Sequence, residues 1–365
     1  MKKIVICGGH LTPAQALIEN LSSKKDIKIY FFGRKYVTEG SKNLSAEYKQ
    51  ISAYNVVFKN IIAGRFARHL SKYTLISISK IPIGFIQSFL LLLAIRPKLI
   101  ISFGGSISYP VIFCGWLLGI ESITHEQAVV PGLSNRLNGL FVKKIYVSWK
   151  ESLEYFPKEK TTVIGNLVRS SLLRGESKKL KQAKKHTIFI TGGNQGSHFL
   201  NSFVFKNIGK LNSFNVIHQV GTANFKDDHD KAKSIKQSGY LWYDYIKPEA
   251  LKSIFDSSNI VIGRAGANTV WELALFGKVA ILIPLLHSAG SEQEKNASIL
   301  SNAGSALVIN QNIATAEKII ESIGKIQTNY GKMLKSATSF SLTLPKNADL
   351  ILASIVRDLL NQKKG

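Results

Sequence analysis

Short apolar runs rich in Ile, Val and Phe punctuate the first half of the chain: "KIVIC" 3–7, "IKIYFF" 27–32, "KLIISF" 98–103, "SITHE" 122–126 and "KIYVSW" 144–149. The rhythm returns at "TIFIT" 187–191, "FNVIHQV" 214–220, "NIVIG" 259–263, "VAILIP" 279–284 and "ALVIN" 306–310. Helix-like segments separate the runs. Continuous apolar strands alternating with helices predict parallel sheets covered on both faces. The two series also open alike, since "KIVICGGHLTPAQALIENL" and "TIFITGGNQGSHFLNSFVF" each read as strand, Gly-Gly turn and helix. The predicted fold class is therefore α/β, with two Rossmann-like domains at 1–165 and 166–344. The charged stretch 174–186, "RGESKKLKQAKKH", reads as a linker or surface loop. An apolar stripe over 347–362, with Asn347 as N-cap, predicts a last helix, and 345–365 is expected to pack back on the first domain.

Composition narrows the class. The chain has 365 residues, enough for two cores, and 45% of them are apolar, which excludes wholesale disorder. Cys7 and Cys114 lie far apart and lack metal-site or redox spacing, so a reducing compartment is expected and no disulfide framework. The net charge of +25 points to an anionic partner. The lysines are scattered and no RNA-binding, zinc-finger or basic-zipper signature accompanies them, so nucleic acid is not the expected partner. The opening "MKKIVICGG" has too short an apolar run for a signal peptide and fits a buried first strand. The longest apolar stretch, 81–95, is interrupted by Gln87 and Ser88 and falls short of the roughly 20 residues that span a bilayer. A soluble or peripheral protein is expected.

In open α/β sheets ligands bind beyond the carboxyl ends of strands. The unusual polar residues sit at such ends, which predicts a site in a cleft between the domains. In "GRAGANTVWE" 263–272, Gly263 and Gly266 allow a sharp turn, and a helix starting near Asn268 offers free N–H groups to a phosphate. Arg264 adds a charged fork, and Glu272, one turn on, is placed for a ribose diol. The plainer alternative is a strand-to-helix turn with a capping Asn and a solvated Glu. "CGGH" and "TGGNQG" suit phosphate, or simply close strand–helix packing. Neither is GxGxxG, and the second strand ends in Arg34 and Lys35 where a nicotinamide site wants an acid, so a dehydrogenase fits poorly. "SFGGSISYP" 102–110 and "THEQAVVPGLSNR" 124–136 each follow a strand, and His125 with Glu126 reads as cleft-facing or as a structural pair. His10, beside the first Gly-Gly turn, is a candidate general base. Gln293 and Asn296 open a further helix suited to sugar hydroxyls or to capping. No cluster has metal-ligand spacing, and no metal or cofactor is expected.

Seven segments, in order over roughly 1–310, resemble the MurG family of lipid I N-acetylglucosaminyltransferases. They are "GGH-x-x-P-A", "FGG…P", "HEQ…G-x-x-N", "GN-x-V-R" 165–169, "GG-x-QG…LN", "R-x-GA-x-T-x-x-E" and "Q-x-x-NA". The resemblance implies the GT-B fold, with two Rossmann-like domains facing a cleft. It implies inverting, metal-independent transfer of N-acetylglucosamine from UDP-GlcNAc, a co-substrate, to the C4 hydroxyl of MurNAc in lipid I. On the donor side it implies Arg169, Arg264, Gly266, Ala267, Asn268 and Thr269 around the diphosphate, Ile246 at uracil and Glu272 at ribose. Gly193, Asn194 and Gln195 would line the nucleotide, and Gln293 the sugar. Gly8, Gly9, His10, Gly104, Gly105, Ser106, His125 and Asn135 would receive lipid I, with His10 the candidate base and Glu126 a second catalytic candidate. The chain departs from the family at "CGGH", where the family shows GGTGGH, at Ser106 for Tyr, at Ala128 for Asn and at Asn194 for Ser.

A lipid-linked acceptor requires membrane contact, and residues 65–96 carry both halves of one. Arg65, Arg68, Lys72 and Lys80 are basic; Ile83, Phe85 and Phe89 are large and apolar. An anionic surface attracts such charges at about 1 kcal/mol each. The expected location is peripheral, on the cytoplasmic face of a bacterial plasma membrane. A core helix over the first sheet is the alternative for part of the stretch. Three other functions stay open: a related GT-B glycosyltransferase with another lipid acceptor, a UDP-sugar epimerase, and a non-catalytic UDP-sugar-binding protein.

Overall fold

The computed structural model describes residues 1–22, 26–36, 43–62, 64, 80–174, 185–286 and 288–362. The chain divides into two compact units, Met1–Arg169 with Pro345–Gly365, and Ser170–Leu344.

The first unit is built on a parallel sheet. Its strands are β1 (Lys2–Cys7), β2 (Ile27–Gly33), β3 (Val57–Asn60), β4 (Leu99–Ser102), β5 (Glu121–Glu126), β6 (Lys144–Val147) and β7 (Thr161–Val163). They lie in the order β3-β2-β1-β4-β5-β6-β7. The helices are α1 (Leu11–Ser22), α2 (Ala46–Ile51), α3 (Ile81–Ile95), α4 (Ser108–Leu117) and α5 (Leu133–Phe141). Alternation along the strands divides the core. Ile4, Ile6 and Ile101 join the side chains of α1 and of the chain's last helix, Ala348–Asn361, whereas Val5, Ile100 and Val147 join Leu92, Ile95, Val111 and Ile112 on the other face. Two-sided burial explains the unbroken apolar runs. The sequence pattern misses β3 and β7 because each is short, lies at a sheet edge and is only partly buried.

The second unit carries α6 (Ser170–Arg174), β8 (Thr187–Thr191), α7 (His198–Asn207), β9 (Asn215–Gln219), α8 (Asp228–Ser234), β10 (Tyr240–Tyr243), α9 (Pro248–Ser257) and β11 (Ile260–Gly263). It continues with α10 (Ala267–Leu275), β12 (Val279–Leu282), α11 (Glu292–Asn302), β13 (Ala306–Val308) and α12 (Ala316–Leu342); the final helix, α13 (Ala348–Asn361), belongs to the first unit. The sheet order is β10-β9-β8-β11-β12-β13, parallel throughout. Strand order reverses direction at β1/β4 in one unit and at β8/β11 in the other. The loops that leave those strands diverge there, which opens a crevice at the carboxyl edge of each sheet.

Candidate functional site

In the first unit the turns after β1 and β4 lock together through backbone. Gly9 N–H donates to Gly104 O at 2.8 Å, and Phe103 N–H to Cys7 O at 2.8 Å. Gly105 has φ +76°, and a Cβ there would lie 2.7 Å from Gly9 Cα. Only glycine permits both the left-handed backbone and the contact. Beside this joint lies a cavity of about 270 Å³ lined by Gly8, Gly9, Arg34, Glu47, Gly105, Ser106 and Ile107. Arg34 Nη2 donates to Ser106 Oγ at 2.6 Å, and Arg34 N–H donates to Glu47 Oε2 at 2.9 Å.

His125, Glu126 and Asn135 are buried and do not line this cavity. They form a buried network that fixes the loop after β5. Glu126 Oε1 accepts from the N–H groups of Gln127 and Ala128, each at 2.9 Å, and Oε2 accepts from Asn135 Nδ2 at 2.9 Å. Asn135 Oδ1 accepts from Thr124 Oγ1, and Asn138 Nδ2 donates to Ser108 Oγ and to Asn135 Oδ1. His125 is fully buried, with its Nε2–H donating to Gly165 O at 2.9 Å and Nδ1 accepting from Gln127 Nε2 at 3.0 Å. Burial lowers its pKa to about 4 against the raising effect of the Gly165 bond, so the ring is neutral at physiological pH. The bonds from Gln127, Ala128 and Asn135 make Glu126 a brace of the loop after β5. His10 follows the glycine joint, and burial lowers its pKa also. It lies close enough to His125 for a charge on its ring to depress the protonation of His125.

In the second unit the predicted Arg264 is the central cation. It is 9% exposed, and its Nε donates to Ser197 Oγ at 3.1 Å while Nη1 donates to Ile283 O at 3.0 Å. Its guanidinium stacks 5.2 Å from the Phe199 ring. Burial brings its pKa to about 10, so it stays charged at pH 7. No carboxylate pairs with it among the described residues' ion pairs. Gly266 is the N-cap of α10 and supplies no side-chain cap, which leaves the N–H groups of Ala267, Asn268 and Thr269 at the helix start. Asn296 Nδ2 holds Ala265 O at 3.2 Å, and Gln293 Oε1 accepts from Leu285 N–H at 2.9 Å, so both polar residues of α11 shape the neighbouring loops. Glu272 sits part-exposed one turn into α10.

The turn after β8 places Gly193, at φ +79°, with nothing within 4 Å of a Cβ, whereas Gly196 and Gly221 pack backbone on backbone. Asn194 and Gln195 are exposed between them. Ile246 is buried between β10 and α9, and Arg169 closes the first unit. A second polar network passes unread in the sequence. His198 at the start of α7 contacts the buried Asp228 at 2.9 Å, Asn201 Nδ2 donates to Asp228 at 2.8 Å, and His218 bridges Asn201 and Tyr240. Its members lie up to 42 residues apart in the chain, too far for a local motif.

On α3, the alternative of a core helix holds for one side only. Leu92 and Ile95 are buried, and Phe85, expected at a membrane, packs edge-on to Tyr109 and Phe113. Ile83, Ile86, Phe89, Leu90 and Leu93 are exposed, with Ile86 at 60%. The neighbouring α4 and α5 add exposed Trp116, Leu117, Leu133 and Leu140. Of the expected basic partners, Lys80 is the N-cap residue of α3, and Arg65, Arg68 and Lys72 lie outside the described residues. No helix among the described residues is long and apolar enough to cross a membrane.

Two domain families match the chain. The glycosyltransferase family 28 N-terminal domain matches residues 7–147, and the family 28 C-terminal domain matches residues 187–350. A UDP-N-acetylglucosamine–N-acetylmuramyl-(pentapeptide) pyrophosphoryl-undecaprenol N-acetylglucosamine transferase of Treponema denticola is 35% identical over 319 residues, covering 83% of this chain and 81% of its own length. A transferase of the same name from Borreliella burgdorferi is 30% identical over 364 residues, covering 98% and 96%. Among solved structures, MurG of Acinetobacter baumannii superposes with a TM-score of 0.72 at 20% identity, covering 98% of this chain and 100% of that one.

Proposed function

Because this chain belongs to glycosyltransferase family 28 and, within it, to the N-acetylmuramyl-(pentapeptide) pyrophosphoryl-undecaprenol N-acetylglucosamine transferases, we propose that it converts lipid I to lipid II with UDP-N-acetylglucosamine as donor. The observation that carries the donor assignment is the buried Arg264 cation beside the uncapped start of α10. Burying a charge is costly unless something opposite in sign compensates it. Its described partners are neutral, so a bound diphosphate supplies the missing anion, and the helix N-terminus adds N–H donors.

In the proposed reaction the C4 hydroxyl oxygen of the acceptor sugar attacks the anomeric carbon of GlcNAc. The bond from that carbon to the diphosphate oxygen breaks, UDP leaves with the electron pair, and the anomeric centre inverts. His10 takes the hydroxyl proton, and its lowered pKa keeps the ring unprotonated and ready to accept. Arg264 and the start of α10 stabilise the charge that grows on UDP, so the protein itself supplies the electrostatic role a metal has in other phosphate chemistry. Gly193, Asn194, Gln195, Ile246, Glu272, Gln293 and Arg169 complete the proposed donor contacts. Gly8, Gly9, Gly104, Gly105 and Ser106 form the acceptor side, with His125, Glu126 and Asn135 bracing it.

The proposed enzyme is peripheral, on the cytoplasmic face of the membrane, and the exposed side of α3 supports that placement. Soluble proteins rarely show so large an apolar patch without a partner for it. Steady-state kinetics of Arg264→Gln test the donor assignment. Loss of about 100- to 1000-fold in kcat is expected, the usual cost of one donor to a transition-state charge. Kinetics equal to those of the unaltered enzyme remove Arg264 from the site.

A further inference from the structure

The glycine-lined cavity of the first unit has a neighbour. An apolar cleft lined by Ile81, Phe85, Tyr109, Pro110, Leu133 and Leu137 adjoins it, and Ser106 lines both. Arg34 is the one cation among the described residues lining either space, and it contacts Ser106, at the junction between them. Glu47 is the one acid, and it lies on the glycine side. Polar character, positive charge and apolar character therefore follow one another across a single surface.

Resting on the acceptor reading above, we propose that Arg34, held by Ser106, is the residue that binds the diphosphate of the acceptor and sets its register. The acceptor has the same three parts in the same order: a hydroxyl-rich sugar, a diphosphate and a prenyl chain. The sugar fits the glycine side, where the Glu47 carboxylate accepts from hydroxyl groups. The diphosphate meets the guanidinium, whose planar N–H donor array suits phosphate oxygens. The proximal prenyl carbons fit the cleft along Tyr109 and Leu137. This arrangement also gives physical meaning to Ser106, which stands where the family shows Tyr. The small hydroxyl leaves room for the arginine from the end of β2 and accepts its hydrogen bond.

Two measurements on Arg34→Gln and Arg34→Lys test the proposal. The first is binding of geranyl diphosphate in saturating UDP, which keeps the nucleotide site filled. The unaltered protein is expected to bind it, Arg34→Gln about 10- to 100-fold more weakly, and Arg34→Lys in between. Equal binding by all three, or none by the unaltered protein, overturns the assignment. The second is the ratio of kcat/KM for a lipid I analogue to that for an analogue with a neutral spacer in place of the diphosphate. Arg34→Gln is expected to collapse that ratio by about tenfold or more. An equal fall toward both analogues marks Arg34 as merely structural and refutes the proposal. If the unaltered enzyme uses neither analogue yet binds geranyl diphosphate through Arg34, the transferase reading fails while the anion site stands.

Discussion

His125 shows how a residue conspicuous in the sequence can be fully buried in the fold. The ring is sealed in the first unit, and its pKa falls from 6.5 to about 4 because burial penalises the imidazolium. Between those values the unfolded chain binds a proton that the folded chain refuses. Stability therefore rises with pH across that window; the contribution is complete above about pH 6.5 and is lost as pH falls toward 4. His125 accounts for on the order of 3 kcal/mol of that loss. Thermal melting of His125→Gln across this range is expected to show a shallower acid dependence than the parent, whatever its absolute stability. Parallel curves contradict a neutral buried ring. Arg264 stood out in the sequence because a cation between two glycines at a strand-to-helix turn is unusual, and the fold buries it. The bracing role of Glu126 was not, since its acceptor bonds come from Gln127, Ala128 and Asn135 only once the loop has closed.

At the scale of elements, the apolar runs predicted the central strands well because both faces of each sheet are covered. Three of the four edge strands, β3, β7 and β10, were missed: β10, "YLWY", is half exposed and has no clean period. Arg34 and Glu47 were missed as partners because α2 and the end of β2 meet only in the fold. The helix α3 has a buried side that includes Leu92 and an exposed apolar side that includes Leu90. Ile86→Glu with Leu90→Glu places two carboxylates on that outer side. Flotation with vesicles containing anionic lipid is expected to fall at least about tenfold, since each change removes apolar burial and adds repulsion from the surface. Undiminished flotation moves the membrane contact away from α3.

For the whole molecule, a net charge of +25 does not translate into one basic face with one purpose. Part of it is spent internally. Lys3 Nζ caps Ile95 O at the end of α3, and Lys98 Nζ caps Leu360 O and Gln362 O at the end of α13, where cations oppose the helix dipole. Composition alone reports the excess but not this use of it. The two-domain α/β plan was legible from the repeated strand, Gly-Gly, helix openings. The assignment of polar residues to bracing or binding was not, because it depends on which loops meet at each reversal of strand order.

The central claim is acceptor-dependent transfer from UDP-GlcNAc, and release of UDP measures it most directly. Release would be followed in EDTA, with a lipid I analogue, with diacylglycerol, with a polyprenyl phosphate and with no acceptor, using Glu272→Ala as the control. The account predicts release that requires the lipid I analogue, survives EDTA and falls sharply in the control. Release driven by another acceptor, or saturable UDP-GlcNAc binding with no release under any condition, would contradict it.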